Sequence, residues 1–258
     1  SESIADLNIA AKKLEAKYPN KRFVIILDEF DEIHPELYRS GPLAETFFAN
    51  LRTLAARKNL AFILVGGEKM PFIIGAQGDQ LNKFSREPLD YFSRSSEWTE
   101  YLELISKPVE GILNWDAAAI NELFTLTHGH PYYTKLLCSK VVSAAVAERD
   151  TEIIAPDISR GLTLLLPELD TNAFAHLWKD GISFERDLAE VTELKRLRLL
   201  VGIGRSLREH KRKEDDVKQQ AVGAHLPEHE ITPLLSDFQR REILCERNGE
   251  LFFTVPIF

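Results

Sequence analysis

The sequence has few of the residues that mark secreted, metal-binding or membrane proteins. Two of its 258 residues are cysteines. Cys138 and Cys245 both stand in apolar segments with no histidine or cysteine at metal-ligand spacing, so we expect buried thiols rather than a disulfide framework or a zinc site. No uncharged apolar stretch approaches the roughly 20 residues that a membrane-spanning helix needs, and the first residues lack a signal-peptide pattern. These absences predict a cytoplasmic protein with no membrane part.

Methionine is scarcer still, since Met70 is the single one in the chain. The sequence therefore does not begin with an initiator methionine, and we expect it to be an interior piece of a longer polypeptide. Its composition, with 44% hydrophobic and 28% charged residues, excludes disordered and collagen-like chains. A chain of this length can build one sizeable core or two small domains.

Charge is unevenly distributed along the chain. The net charge of −8 argues against a protein whose whole surface holds nucleic acid. One segment, residues 195–213, is nevertheless basic, with eight cationic residues and a single acid, Glu209. The cations are Lys195, Arg196, Arg198, Arg205, Arg208, Lys211, Arg212 and Lys213. Two interpretations stay open: a surface that meets phosphates, or a flexible solvated loop.

The first third of the chain alternates helix and strand patterns. A helical stripe covers residues 6–17, and the apolar, β-branched run FVIIL follows at 23–27. The segment Ser40-Gly41-Pro42 opens a second helix, which leads to another apolar run, LAFILV at 60–65. This order predicts a right-handed βαβ unit whose two parallel strands are buried on both faces.

The remainder of the chain is predicted to be mainly helical. Its last part shows three helices and then two short strands joined by Asn248-Gly249, which is the outline of a winged helix. The predicted helices cover residues 96–105, 115–126, a stretch from 131 to about 146, shorter pieces within 150–177, and then 184–197, 214–222 and 233–242.

The first strand ends in the acids Asp28 and Glu29. Acids at the carboxyl end of a buried parallel strand lie in the crevice where open α/β sheets bind their ligands. In phosphoryl-transfer sites, the first such acid holds Mg²⁺ and its neighbour can activate water. Four apolar residues followed by Asp-Glu is the Walker B pattern, although any buried strand that runs into a polar loop can end in acids.

Several motifs in sequence order carry a resemblance to a known family. FVIILDEFDEI is similar to a Walker B strand, LAFILVGGE to a sensor-1 strand, and THGHPYYTKLLC to the G-x-P motif of a helical lid. REILCERNGELFFTVPIF resembles the wing of a winged helix. Together with SKPVEG, they make the chain resemble the STAND branch of the AAA+ related P-loop ATPases, from Walker B through the lid to the winged helix.

The resemblance implies a domain organisation and roles for single residues. It implies a partial α/β nucleotide-binding core at 1–95, a helical lid at 96–177 and a winged-helix domain at 178–258. Asp28 would take the magnesium-linked role, and Glu29 the water-activating one. His130 and Pro131 would stand where the lid of the family reads the nucleotide.

Two short segments near these motifs do not follow the pattern of the family. The sensor-1 strand ends in Gly66-Gly67-Glu68, without a side chain that could donate a hydrogen bond to a γ-phosphate. Asp31 and Glu32 are expected to be solvated acids at a helix start rather than ligands.

The main departure from the family is the phosphate-binding loop. None of the 13 glycines is followed by lysine, so a Walker A motif is absent. We therefore expect this chain alone to be inactive, with ATP and Mg²⁺ as cofactors of a full-length protein whose Walker A lies upstream. The implied function is an ATP-dependent molecular switch in signalling, regulation or antiviral defence. Its partners would be the rest of its own polypeptide and, in a homo-oligomer, further copies.

Two other functions remain as alternatives. The chain could be a winged-helix DNA-binding module, with Arg205, Arg208, Lys211, Arg212, Gln239, Arg240 and Arg241 as contacts to DNA or to another partner. In that case, the helix 233–242 would expose its polar residues to the DNA. The other alternative is a degenerate ATPase that acts as a scaffold or regulatory partner.

Overall fold

The computed structural model describes residues 2–39, 41–169, 171–182 and 186–258. Ser40 and Phe184, which the sequence places at the starts of two helices, lie outside the described residues. The chain forms two compact units. Unit one comprises Ser1–Pro88 with Lys179–Glu190, and unit two comprises Leu89–Trp178 with Val191–Phe258. In the part of the chain that is described, none of the helices is both long and apolar enough to cross a bilayer.

Unit one contains the predicted βαβ arrangement. Its elements are α1 (Glu2–Lys17), β1 (Phe23–Leu27), α2 (Pro42–Ala55), β2 (Leu60–Leu64) and α3 (Met70–Leu81). Strand β1 pairs with β2 in parallel, in a register that runs from Phe23 opposite Leu60 to Leu27 opposite Leu64. The prediction of parallel strands joined through a helix is thus confirmed.

The expectation that both faces of this sheet are buried is wrong. One face carries Phe23, Ile25 and Phe62, which pack against a core of residues from α1 and α2. On the other face, Val24 and Ile26 remain 59% and 61% exposed. The helices described in unit one cover a single face, and the alternation of side chains along a strand turns every second residue away from them.

Unit two begins with a helical core. Its elements are α4 (Trp98–Ser106), β3 (Asn114–Trp115), α5 (Ala117–Thr127), α6 (Pro131–Glu148), β4 (Glu152–Ile153) and α7 (Ala155–Leu165). The two short strands pair in parallel. Tyr101, Leu123, Tyr133 and Leu137 are completely buried at the centre of this core.

The second part of unit two contains the helices and the hairpin of the predicted winged helix. Its elements are α9 (Arg186–Arg208, of which residues from 191 belong to this unit), α10 (Glu214–Gly223), α11 (Glu228–Arg240), β5 (Leu244–Arg247) and β6 (Glu250–Phe253). A four-residue helix, α8 (His176–Lys179), precedes them. The hairpin is antiparallel, as predicted, and Asn248 and Gly249 both have the positive φ of a type I′ turn.

The interpretation of residues 195–213 as a flexible solvated loop is wrong. Most of this segment is the second half of α9. Leu199 and Ile203 are buried in a core shared with Val217 and Ala221 of α10. The basic residues stand on a helix because an apolar stripe between them anchors it to the rest of the winged helix.

The two parts of unit two are joined by the last residues of the chain. Val255 and Ile257 are buried in the helical core of α4 to α7 rather than in the core of the winged helix. The N–H of Ile257 donates to the carbonyl of Leu126, at 3.0 Å. The ring of Phe258 packs against those of Tyr133 and Phe174.

Two glycines of α9 provide a test of this packing. An alanine Cβ at Gly202 would lie 2.7 Å from backbone atoms of Ala221, whereas at Gly204 it would meet nothing within 4 Å. We expect Gly202→Ala to lower the free energy of unfolding of unit two by about 1–3 kcal/mol, because the two helices would be forced apart. Gly204→Ala should raise it by up to about 1 kcal/mol through helix propensity.

Urea denaturation followed by tryptophan fluorescence measures this difference. All three tryptophans, Trp98, Trp115 and Trp178, belong to unit two, so the signal reports on that unit. Equal shifts of the two variants in the same direction would contradict the close contact of α9 with α10.

Candidate functional site

The two acids of the predicted Walker B motif lie at the carboxyl end of β1, as the sequence indicates. The residues on either side of them are both hydrogen bonded to Val65, directly after β2. Val65 donates to the carbonyl of Leu27 at 2.9 Å, and Phe30 donates to the carbonyl of Val65 at 2.8 Å. Asp28 and Glu29 therefore stand in a short exposed loop that is fixed to the neighbouring strand at both ends.

The backbone of this loop adopts an unusual conformation. Glu29 has φ 52° and ψ 36°, in the left-handed region that non-glycine residues rarely occupy. Oδ1 of Asp28 accepts a hydrogen bond from the N–H of Glu29, at 3.0 Å. A left-handed residue costs about 1–2 kcal/mol. Six other described non-glycine residues share this conformation, among them His128 and Arg149 at helix ends, so at Glu29 it marks a tight turn after β1.

The prediction that Asp31 is a solvated acid is wrong, whereas Glu32 is exposed. Asp31 is only 6% exposed, and its Oδ2 accepts from the N–H of Lys69 at the start of α3, at 3.3 Å. Glu32 pairs with the ammonium group of Lys69, at 2.6 Å. Asp31 is buried because the free N–H groups and the dipole of the α3 N-terminus favour a carboxylate there.

Asp31 and Met70 pack closely around Gly66, one of the glycines that follow β2. A Cβ on Gly66 would lie 2.9 Å from Oδ1 of Asp31 and 2.6 Å from Cγ of Met70. A side chain at position 66 would therefore require Met70 or Asp31 to shift.

Carboxylates of this kind match the chemistry of Mg²⁺. Protein sites for Mg²⁺ commonly supply one or two carboxylates, while water and substrate phosphates supply the other ligands. Asp28 and Glu29 are exposed and adjacent, which fits such a site. Among the described residues, no group of three or more His, Cys, Asp or Glu side chains could hold a metal by itself.

The predicted G-x-P motif forms the junction between α5 and α6. His128 ends α5 in a left-handed conformation, and Gly129 follows with φ 73°. A Cβ on Gly129 would lie 2.1 Å from the carbonyl oxygen of Phe92, so only glycine fits there. His130 is then the N-cap of α6, and Pro131 takes its first position, as the sequence predicts.

His130 acts as a neutral hydrogen-bond acceptor in this junction. Its Nδ1 accepts from the N–H of Tyr132, at 3.2 Å. Burial of the ring, with a smaller contribution from the nearby His176, lowers the pKa of His130 to about 4. A protonated imidazole has no free acceptor nitrogen, so the cap requires the neutral form.

A series of aromatic contacts leads from His130 towards the winged helix. The ring of His130 lies 4.6 Å from that of Tyr91 and 4.7 Å from that of Tyr133. Tyr133 in turn contacts Phe258, at 5.1 Å between centroids. Phe258 also contacts Phe253 of β6, so these rings connect the motif with the hairpin.

The predicted exposure of Arg241 is wrong. Its side chain is 2% exposed and donates to the backbone carbonyls of His176 and Leu177, at 2.8 and 2.9 Å. Arg241 follows α11 directly, where it reaches back to the short helix α8 instead of pointing to solvent. It is a structural residue of the winged helix, and a contact to DNA through it would require its hydrogen bonds to His176 and Leu177 to break.

Most of the other predicted contact residues are engaged within the chain. Arg240 pairs with Asp237, Lys211 pairs with Glu209 at 2.9 Å, and Arg205 donates at 3.5 Å to a carbonyl at the end of α10. Gln239 lines an open cleft of about 460 Å³ together with His128, Glu242, Cys245, Glu246 and Thr254. Arg208 and Arg212, at the end of α9 and just beyond it, differ from these residues because no carboxylate in the described chain lies within ion-pair distance of them.

One cation next to this region was missed by the sequence reasoning. Arg247, at the end of β5, lies with its guanidinium carbon 5.7 Å from the centre of the Phe252 ring. Arg212 lies 4.6 Å from the same ring. The sequence could have indicated this contact. In a hairpin turning at Asn248-Gly249, Arg247 stands opposite Glu250, and Phe252, two residues further along, lies on the same face of the hairpin.

Comparison with known proteins shows distant structural similarity only. No known protein family and no curated protein matches the sequence. The chain is similar to the Walker-type ATPase PABY2304 of Pyrococcus abyssi, with 14% identity and a TM-score of 0.49, over 92% of this chain and 61% of that one. It is also similar to the RuvB Holliday junction branch migration motor of Thermotoga maritima, with 12% identity and a TM-score of 0.42, over 89% of this chain and 66% of that one.

The role of His130 as a neutral cap predicts a pH dependence. Its pKa is about 4 in the folded chain and ordinarily 6.5. Protons therefore bind the unfolded chain first, and the stability present above pH 6.5 is lost as the pH falls towards 4. We expect His130→Asn, which keeps an N-cap acceptor without this titration, to reduce that loss.

Urea titrations of unit two at pH 7.5 and pH 4.5, followed by tryptophan fluorescence, measure the effect. His229→Asn is the control, because the side chain of His229 is 81% exposed. If the two variants lost the same stability between these pH values, the assigned role of His130 would be wrong.

Proposed function

We propose that the chain is the Walker B, lid and winged-helix part of an ATP-dependent molecular switch. The observation that carries this proposal is the exposed Asp28-Glu29 pair at the carboxyl end of a parallel strand, in a loop bonded on both sides to Val65. Asp28 would help to hold Mg²⁺, and Glu29 would accept a proton from the attacking water. Bound Mg²⁺ would neutralise charge on the phosphates of ATP.

The second half of the proposal concerns how the binding of ATP or ADP would change the arrangement of the winged helix. His130 and Pro131 begin α6, and Tyr133 is completely buried one turn later. Because Tyr133 packs against Phe258, a displacement at the start of α6 would shift the packing of the hairpin in the winged helix. Two arrangements of these packed rings would give the switch its two states.

The order of the motifs supports a STAND-type switch in particular. A parallel strand that ends in Asp28-Glu29, a second parallel strand, a group of packed helices and a set of three helices with a hairpin follow one another in this chain, which is the order expected for Walker B, sensor-1 strand, lid and winged helix. The phosphate-binding loop and the effector or sensor domain would belong to the same polypeptide. The process controlled, whether signalling, transcriptional regulation or antiviral defence, would be set by that effector domain, and further copies of the protein would be its assembly partners.

Substitution of Glu29 tests the catalytic half of the proposal. In the polypeptide that carries this chain together with its phosphate-binding loop, we expect Glu29→Gln to lower ATP hydrolysis by about a hundredfold or more, because a general base contributes 10²- to 10⁴-fold. ATP binding should persist. Steady-state hydrolysis and binding of a fluorescent ATP analogue measure the two effects.

Glu32→Gln is the matched control, since Glu32 is a nearby exposed acid that pairs with Lys69. We expect it to hydrolyse ATP at the unmodified rate. If Glu29→Gln did so as well, Glu29 would not be the base. If the unmodified polypeptide neither bound nor hydrolysed ATP, the degenerate scaffold would replace the switch.

A further inference from the structure

The structure sorts the basic residues of α9 and the segment after it into two groups. In the first group, each cation is bonded to a neighbour within the winged helix. Arg196 is 4% exposed and pairs with Asp237 at 2.7 Å, Lys195 pairs with Glu230, and Arg198 donates to the carbonyl of His225. Arg205 and Lys211 are bonded as described above. These five residues are engaged within the chain, and the buried Arg196 contributes to the packing of the winged helix.

The second group consists of Arg208, Arg212 and Lys213, to which the hairpin adds Arg247. We call these four residues the hairpin-side cations. In the described parts of the chain, none of them has a carboxylate within ion-pair distance, whereas Lys211 and Lys218, close by, each pair with an acid. Three of the four are exposed and the fourth, Arg212, is half-buried.

A backbone hydrogen bond ties Arg212 to the hairpin. The carbonyl of Arg212 accepts a hydrogen bond from the N–H of Leu251 in β6, at 2.7 Å. The segment before α10 therefore contacts β6 at this point. The guanidinium groups of Arg212 and Arg247 lie over the ring of Phe252, at 4.6 and 5.7 Å, where cation–π attraction restricts their motion.

We propose that the hairpin-side cations form a contact surface for the sugar–phosphate backbone of a double-stranded nucleic acid. This proposal does not depend on the nucleotide switch, and it differs from recognition through α11, whose Arg241 is buried and whose Arg240 is paired. Guanidinium groups that are held in place and form no ion pair within the described chain can donate hydrogen bonds to phosphate oxygens. The ring of Phe252 is occupied by two arginines, so it offers no free face for stacking an unpaired base.

The surroundings of this surface also contain acids, on a chain whose net charge is −8. Glu246 and Glu250 stand in the hairpin, Glu209 follows Arg208, and Glu214, Asp215 and Asp216 follow Lys213 in the first turn of α10. The proposal therefore rests on the two guanidinium groups held over Phe252 and not on a net positive charge of the region. Glu250 is the cross-strand partner of Arg247 but forms no ion pair with it in the described structure. Contacts of this kind would be sequence-independent.

Fluorescence anisotropy with labelled 20-base-pair DNA duplexes of two unrelated sequences tests the proposal. The whole 258-residue chain is titrated without nucleotide at several salt concentrations. We expect both duplexes to bind equally. In Arg212→Ala/Arg247→Ala, the slope of log K against log salt should become less steep by about 2, since each lost phosphate contact removes about 1.

Arg160→Ala/Lys107→Ala is the control, because it removes the same charge from two exposed cations that are paired elsewhere in unit two. Its salt slope should stay within error of the unmodified chain. Arg212→Lys/Arg247→Lys, which keeps the charge, should retain the slope, and Glu250→Gln should bind more tightly. Far-ultraviolet circular dichroism checks that each variant is folded.

Three outcomes would overturn the proposal. The first is no binding of duplex by the unmodified chain at 50 mM salt. The second is an equal loss in the control pair and in Arg212→Ala/Arg247→Ala. The third is equal competition by poly-glutamate at the same charge concentration, which would assign the surface to an acidic protein segment. None of these results bears on Glu29 or on ATP hydrolysis.

Discussion

The helical part of unit two is held to its winged helix by the apolar tail that follows the hairpin. Val255 and Ile257 enter a core made of α4 to α7, and Phe258 lies between rings from both parts. This burial is the reason that the two parts form one compact unit. The junction at His130 and the hairpin with its cations consequently belong to the same packed structure, and these side chains provide one route by which each can influence the other.

Much of the fold could be predicted because its signals are local. The two apolar runs are short and bounded by turn residues, and Asn248-Gly249 specifies a hairpin turn directly. Helix α3 was not predicted, since its stretch contains Gly75 and Gly78 and shows little amphipathic pattern. The exposed face of the sheet was also missed, because the number of faces that helices cover is decided by tertiary packing. The three-domain division at 95 and 177 stays a prediction.

The candidate site shows the same limit of local reasoning. The positions of Asp28, Glu29 and Pro131 at element boundaries followed from patterns of a few residues. The burial of Asp31 and Arg241 did not, because each is bonded to a backbone group distant in sequence, at Lys69 and at Leu177. Long side chains next to helix ends can turn either to solvent or to free carbonyls and N–H groups, and sequence alone does not decide between them.

The carboxylate that lies against Gly66 also constrains how this loop can evolve. A side chain at position 66 would press against Asp31 and Met70, so a substitution there requires at least one of these side chains to shift. Positions 31, 66 and 70 should therefore change together among descendants of this protein. A larger residue at position 66 would be accommodated most easily where Met70, or Asp31 with its bond to the N–H of Lys69, has been replaced.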